Sequence, residues 1–317
     1  MIAEARAKRP EDFEQLPATP KNLPDVAAGC AFCPGHEKET PAQIARYPNR
    51  GDWLIRIIPN KYEAVGHVLG KRKEDFYLSR PGIGDHELVI MRYHNKPTAR
   101  QDESLIDLTL QAYIDRINDL KDHEEVRYIH VIQNHGQQAG ASLIHPHSQI
   151  FAIPFLPERI EEELLGTRSY FETHGACVYC EMVLYEIKKQ DRVVIETEDF
   201  LVATPYASKM PFTLHILPKM HRASFHEITI SERKALAHVI KEVFSRLYER
   251  MHNPAYNYYI HTLPFGGTST TKSIDDRKSY HWHIVIVPRV NIWAGFELGT
   301  EVYINPISPE TAAKFFH

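Results

Sequence analysis

Residues 145–151 read HPHSQIF: His145 and His147 flank a proline, and Gln149 follows two places later. Successive strand residues point to opposite faces of a sheet, whereas i and i+2 share one. On a strand, His145, His147 and Gln149 would therefore line a single face. A second H-x-H, His281-Trp282-His283, opens another run of strand character, HWHIVIVPR.

All four cysteines fall in two pairs of identical spacing, Cys30-Ala-Phe-Cys33 and Cys177-Val-Tyr-Cys180. Cys-x-x-Cys places two thiolates on one tight turn, which suits tetrahedral zinc. A thioredoxin-like redox pair is the competing reading, but it does not predict two copies. After each pair the same order of events recurs. DWLIRIIPN (52–60) and HELVIMRYH (86–94) follow the first pair; FLVATPY (200–206) and FTLHILPKMH (212–221) follow the second. Each set ends on a histidine, His94 or His221.

An amphipathic helix is then expected in each half, near 103–120 behind Asp102 or Ser104, and near 231–250 behind Ser231. A further strand comes next, YIHVIQN (128–134) or NYYIHTL (257–263), and a Gly/Ser/Thr-rich loop leads to the H-x-H strand. Two half-units are expected, 1–157 and 158–317. Each holds a Cys2His2 set: Cys30, Cys33, His94 and His145 in the first, Cys177, Cys180, His221 and His281 in the second. Four protein ligands leave no open position on zinc, so two structural zinc sites are expected and the chemistry must lie elsewhere. Most of the other histidines, among them His36, His67 and His252, read as surface or core residues.

His147 is the candidate for that chemistry. Upstream of it, Gly140 and Ser142 sit in a loop whose backbone N–H groups and hydroxyl can approach a phosphate closely. An unprotonated imidazole is a good nucleophile toward phosphorus and splits a transfer into two displacements. Gln149, on the same face, can donate its amide N–H as charge shifts in the transition state. In the second half Ile284-Val285 replaces Ser148-Gln149, so that half reads as catalytically degenerate.

The composition is that of an ordinary globular protein: 317 residues, 43% hydrophobic and 25% charged, with a net charge of -4. There is no basic excess to indicate nucleic acid, and no run approaches the roughly 18 to 20 apolar residues that cross a bilayer. The N-terminal stretch is charged, and a cytoplasmic location is expected.

The stretch N-x-G-x-x-x-G-x-S-x-x-H-P-H-x-Q, from Asn134 to Gln149, resembles the active-site motif of the galactose-1-phosphate uridylyltransferase family in the histidine-triad superfamily. The likeness extends to both Cys-x-x-Cys pairs, ILPKMH, HWH and the closing AGFELGTEVYINP. It implies an α+β fold, a histidine-triad-like unit duplicated in one chain with antiparallel sheets and flanking helices. It also implies a homodimer with active sites near the subunit interface. His147 would attack the α-phosphorus of a nucleotide sugar, or another nucleoside-diphosphate-type donor, and hold the nucleoside monophosphate covalently. A phosphate or sugar-phosphate acceptor would then take it, in ping-pong order.

By the same likeness Asn134, Gly140, Ser142 and Gln149 would cradle the phosphoryl group, Arg6 and Arg9 would contact the nucleotide phosphates, and Phe296 and Glu297 would hold the sugar. Histidine-triad hydrolases have a third histidine at position 149, so glutamine favours transfer over hydrolysis.

The leading expectation is a UDP-hexose:hexose-1-phosphate uridylyltransferase type. Asn291 stands near the lysine of the true hexose enzymes and Tyr303 where they have glutamine, and G-F-E-L-G-T-x-x-Y-I-N-P looks more like relatives that move AMP. The alternative is thus adenylyl transfer to phosphate, of the ADP-glucose phosphorylase or ADP-sulfurylase type. A non-enzymatic zinc or nucleotide-binding module and a modified zinc hydrolase are the remaining readings.

Overall fold

A computed structural model of the chain describes residue 20 and residues 22–66, 76–77, 81–265 and 275–317. In the first half the order is β1 (Ala45–Tyr47), β2 (Ile55–Pro59), β3 (Asp85–Met91), α1 (Glu103–Leu120), β4 (Tyr128–His135) and β5 (His147–Ile153). Helices α2 (Glu158–His174) and α3 (Val178–Lys189) lead into β6 (Val193–Glu196), β7 (Phe200–Ala203), β8 (Leu214–Pro218), α4 (Ile230–Arg250) and β9 (Tyr256–His261). The chain closes with α5 (Asp276–Ser279), β10 (His283–Pro288), α6 (Gly295–Thr300) and α7 (Pro309–Phe315).

The strands of the described residues form one ten-stranded sheet, in the order β1-β2-β3-β5-β4-β9-β10-β8-β7-β6, with every neighbouring pair antiparallel. Read inward from either edge, each half contributes its first, second, third, fifth and fourth strand in turn. The expected plural sheets are thus a single one, because β4 and β9 pair with each other, from Val131 opposite Ile260 to His135 opposite Tyr256. That pairing satisfies two strands whose backbone groups would otherwise lie open at an edge.

Helices α1 and α4 pack together across one face of the sheet. Leu105, Leu110, Tyr113, Ile117 and Leu120 of α1 are buried at helical spacing, as are Leu236, Ile240, Val243 and Leu247 of α4. Against them lie alternate strand residues: Ile55, Ile57, Val89, Ile150, Ala152, Ile260 and Ile284. Each such side chain contributes about 1.5 to 3 kcal/mol when removed from water. Helix α4 starts one turn-position earlier than expected: Thr229, not Ser231, is the cap, accepting from the Glu232 N–H while Glu232 returns a bond to the Thr229 N–H. No described helix is long and apolar enough to cross a membrane.

Two histidine positions differ from the strand reading. β3 ends at Met91 and β8 at Pro218, so His94 and His221 each lie three residues beyond their strands. β5 and β10 begin at His147 and His283, so His145 and His281 precede the strands and do not share their pleat. Pro146 supplies no N–H for a ladder, and the Trp282 N–H is spent on the Arg222 carbonyl outside the sheet, so neither strand extends back to its first histidine.

One buried ion pair ties α1 to β3. Arg116 donates from Nε and Nη2 to both Glu87 oxygens at 2.8 and 2.7 Å, with little of either side chain exposed. Replacing Arg116 with Met should cost about 3 to 5 kcal/mol, because the Glu87 carboxylate is left buried and unpaired. The double variant Arg116→Met/Glu87→Leu should recover most of that loss. Urea unfolding of the two variants distinguishes this from a mere packing effect, which the double change would not repair.

Candidate functional site

The face of the sheet away from α1 and α4 carries the polar residues singled out above. On β5, Ser148, Ile150 and Ala152 turn into the core, where the Ser148 hydroxyl lies 2.5 Å from that of Tyr113. His147 and Gln149 necessarily occupy the other side. Continuing the Gln133–Ser148 pair by one residue sets Asn134 of β4 beside His147.

His147 is almost wholly buried, and its Nδ1–H donates to the carbonyl of His145 at 2.9 Å. This bond leaves Nε2 with its lone pair free. Burial holds the imidazole below its ordinary pKa, against the raising effect of that carbonyl, so the ring is neutral at neutral pH. Phe32, from the first Cys-x-x-Cys turn, packs edge-on against both His147 and His145, with centroids 5.4 and 5.9 Å away.

The first Cys/His set comes together as a cluster. Cys30 Sγ lies 3.5 Å from His145 Nδ1, Cys33 Sγ lies 3.5 Å from His94 Nδ1 and 3.6 Å from His145 Nδ1, and the two Nδ1 atoms are 3.2 Å apart. Tetrahedral zinc with ordinary bond lengths requires about 3.6 Å between sulfur and nitrogen and about 3.3 Å between nitrogens. His145 donates its Nε2–H to the Met91 carbonyl at 2.6 Å, which leaves Nδ1 unprotonated and aimed at the thiols.

The second set repeats the arrangement: Cys180 Sγ stands 3.3 Å from His221 Nδ1 and 3.5 Å from His281 Nδ1, and Cys177 Sγ 3.9 Å from His281 Nδ1. His221 and His281 donate their Nε2–H groups to the carbonyls of Arg277 and Pro218. Both groups of four could hold a metal ion.

A third potential metal group was not anticipated from the sequence. Glu163 of α2 meets His261 Nδ1 at 2.8 Å and His283 Nε2 at 3.4 Å, and Tyr179 donates to it as well. His283 is the positional counterpart of His147, yet its Nε2 faces a carboxylate. Glu163 lies on α2, outside both H-x-H motifs, so no local spacing signalled it.

Two residues in contact with Gln149 and Asn134 were also missed. His86 of β3 contacts Gln149 Oε1 through Nε2 at 2.8 Å. Asn257 of β9 donates through Nδ2 to Asn134 Oδ1 at 2.7 Å and to the Ala139 carbonyl at 2.8 Å. Gly140 adopts φ 81, a left-handed conformation that glycine tolerates, and Ser142 is exposed in the loop before His145.

Other expected residues are not gathered in. Arg6 and Arg9 lie outside the described residues. Phe296 is exposed on α6, and Glu297 accepts the Ala294 N–H at 3.0 Å, capping its own helix. No described contact joins either residue to His147. A cavity of 1250 Å³ spreads over the second-half side of this face and reaches Ile132 and Asn134 without including His147 or Gln149. The disposition of reactive groups, not cavity size, therefore identifies the site.

Burial also pushes His130 and His215 of this face down to about 3, reinforced by neighbouring His261 and His283 respectively. Unfolded histidine titrates near 6.5. Both residues thus contribute stability that is complete above about pH 6.5 and is lost as pH falls toward about 3, where the folded form finally accepts protons. The unfolding free energy from urea titration should fall from pH 7 to pH 5, by up to about 1.4 kcal/mol per pH unit for each histidine. A His215→Phe variant should show a flatter decline; an unchanged slope would exclude His215 as a contributor.

The family model "Domain of unknown function (DUF4921)" matches residues 71–315. ADP-glucose phosphorylase of Arabidopsis thaliana is 35% identical over 321 residues, covering 99% of this chain and 88% of that protein. Galactose-1-phosphate uridylyltransferase of Thermotoga maritima is 33% identical over 229 residues, covering 70% of this chain and 69% of that one. Among solved structures, an ADP-glucose phosphorylase from Arabidopsis thaliana with bound ADP-glucose superposes with a TM-score of 0.82 at 32% identity, covering 99% of this chain and 93% of that chain. A uridylyltransferase does so with a TM-score of 0.79 at 26% identity, over 94% and 92%.

Proposed function

This chain belongs to the galactose-1-phosphate uridylyltransferase family, its ADP-glucose phosphorylase relatives included, and on that premise we propose that it is a nucleotidyltransferase working through His147. It moves a nucleoside monophosphate from a nucleotide sugar to a phosphate acceptor. The observation that carries this reading is the free Nε2 of a neutral, positioned imidazole, flanked by Gln149 and Asn134 on one face.

In the first displacement, the His147 Nε2 lone pair attacks the α-phosphorus and the bond to the leaving sugar phosphate breaks, its electron pair departing on the bridging oxygen. In the second, an oxygen of the acceptor phosphate attacks the same phosphorus and returns Nε2 with its lone pair. The amides of Gln149 and Asn134 donate to the non-bridging oxygens as charge shifts, with the Gly140–Ser142 loop closing the cradle. Arg6 and Arg9 neutralise the remaining phosphate charge.

The two Cys2His2 groups are read as zinc sites: Cys30, Cys33, His94 and His145, and Cys177, Cys180, His221 and His281. Their separations and tautomers suit tetrahedral zinc, and four protein ligands make each a clamp with no open position. The repeated strand order of residues 1–157 and 158–317 supports a duplicated histidine-triad-like unit whose second copy has lost the chemistry. His283 there faces Glu163, and Val285 replaces the glutamine. A homodimer would bring Phe296 and Glu297 of one chain to the site of another.

Of the two donor bases, adenine is favoured, because the ADP-glucose phosphorylase is 35% identical over 99% of this chain, whereas uridylyltransferases matched over 99% of it are 24% identical. Incubation with labelled ADP-glucose should yield an acid-labile adduct on His147, with labelled UDP-glucose giving little. No adduct from either donor would sink the two-displacement scheme. His147→Asn should abolish labelling, a loss of at least about 10³-fold, while retaining about two zinc ions per chain by metal analysis. His94→Ala should lose one zinc; unchanged metal content would remove that residue from the ligand set.

A further inference from the structure

Gln149 can help a phosphoryl group only if its NH2 side, and not its carbonyl, faces that group. Nothing in a glutamine side chain itself sets this choice, since the two ends of the amide are nearly equal in size. The choice is made by His86. The Ala64 backbone N–H points at His86 Nδ1 from 3.1 Å, so that nitrogen must be the acceptor and the proton must reside on Nε2. Nε2–H then meets the Gln149 side chain at 2.8 Å, and only a carbonyl oxygen can receive it. Turning the amide over would oppose two donors. Moving the proton to Nδ1 would oppose it to the Ala64 N–H, so one arrangement alone satisfies all three groups.

Register supplies the direction. His86 pairs with Phe151, Leu88 with Gln149 and Ile90 with His147, so His86 lies on the side of Gln149 away from His147. Its pull on Oε1 draws the carbonyl away from the nucleophile and leaves the NH2 group on the remaining side. Among the described residues nothing accepts from that NH2 group. The imidazole is itself held, stacked on Phe151 with ring centroids 4.0 Å apart and approached by the Asn60 amide.

We propose that His86 is the positioning residue for Gln149, holding the amide carbonyl so that its N–H groups are presented to the phosphoryl group carried by His147. The assignment rests on the reading of Gln149 given above. It makes His86 a residue that acts through Gln149 without touching substrate.

Single-turnover labelling of the full chain with radiolabelled ADP-glucose, and in parallel UDP-glucose, tests it. His86→Phe keeps the stack on Phe151 and removes the donor, and His86→Ala serves if the first variant folds poorly. Either should slow labelling by roughly 10- to 100-fold, with the donor concentration at half-saturation and the thermal midpoint little changed. In a Gln149→Ala background the same change should slow labelling no further, because the group it positions is gone. A wild-type rate in the His86 variants, or an undiminished effect in the Gln149→Ala background, would overturn the assignment. If Gln149→Ala alone labels at the wild-type rate, the reading of Gln149 fails first and takes this one with it.

Discussion

The geometry of the site depends on what His145 does just before β5. One imidazole nitrogen points into a group of two thiols and a second histidine, and the other donates to the Met91 carbonyl at the end of β3. This side chain thus links a loop near the start of the described chain, the strand that neighbours β5, and β5 itself. Its carbonyl then accepts from His147, so the residue that anchors the strand also decides which nitrogen of the next histidine carries the proton. If His145 moved, both the position and the tautomer of His147 would change.

The same construction in the second half ends differently. His281 donates to the Pro218 carbonyl and sets the His283 tautomer as His145 sets that of His147. What differs is the neighbourhood of the free nitrogen. Tyr179 stands where the first half has Phe32, and with His261 and Glu163 it fills the space in front of His283. A carboxylate held against the imidazole repels a phosphate anion, so its charge, together with Val285 in place of a glutamine, separates two strands that share one construction.

Much of this was legible in the sequence because it rests on local periodicity or on repeated spacing. Helix α1 spans the residues that its apolar spacing marked out, and the eight cysteines and histidines of the repeated order do converge in two groups. The residues that escaped notice act across strands. His86 and Asn257 lie far from the motif they orient, and only the register of β3 against β5 and of β4 against β9 brings them to it. Register follows from the packing of the whole sheet, and a lone histidine or asparagine in a strand carries no mark of its neighbour. The joining of two expected sheets into one was hidden for the same reason, since nothing local distinguishes a strand that ends a sheet from one that continues it.

The pairing of β4 with β9 places Asn257 opposite Asn134, and its amide spends both hydrogens on the first half, one on the Asn134 side chain and one on the Ala139 carbonyl. A strand of the second half therefore forms a wall beside Asn134. Residues far apart in the amino-acid sequence thus share one arrangement, and the strands before α2 do not hold the whole surroundings of His147 by themselves.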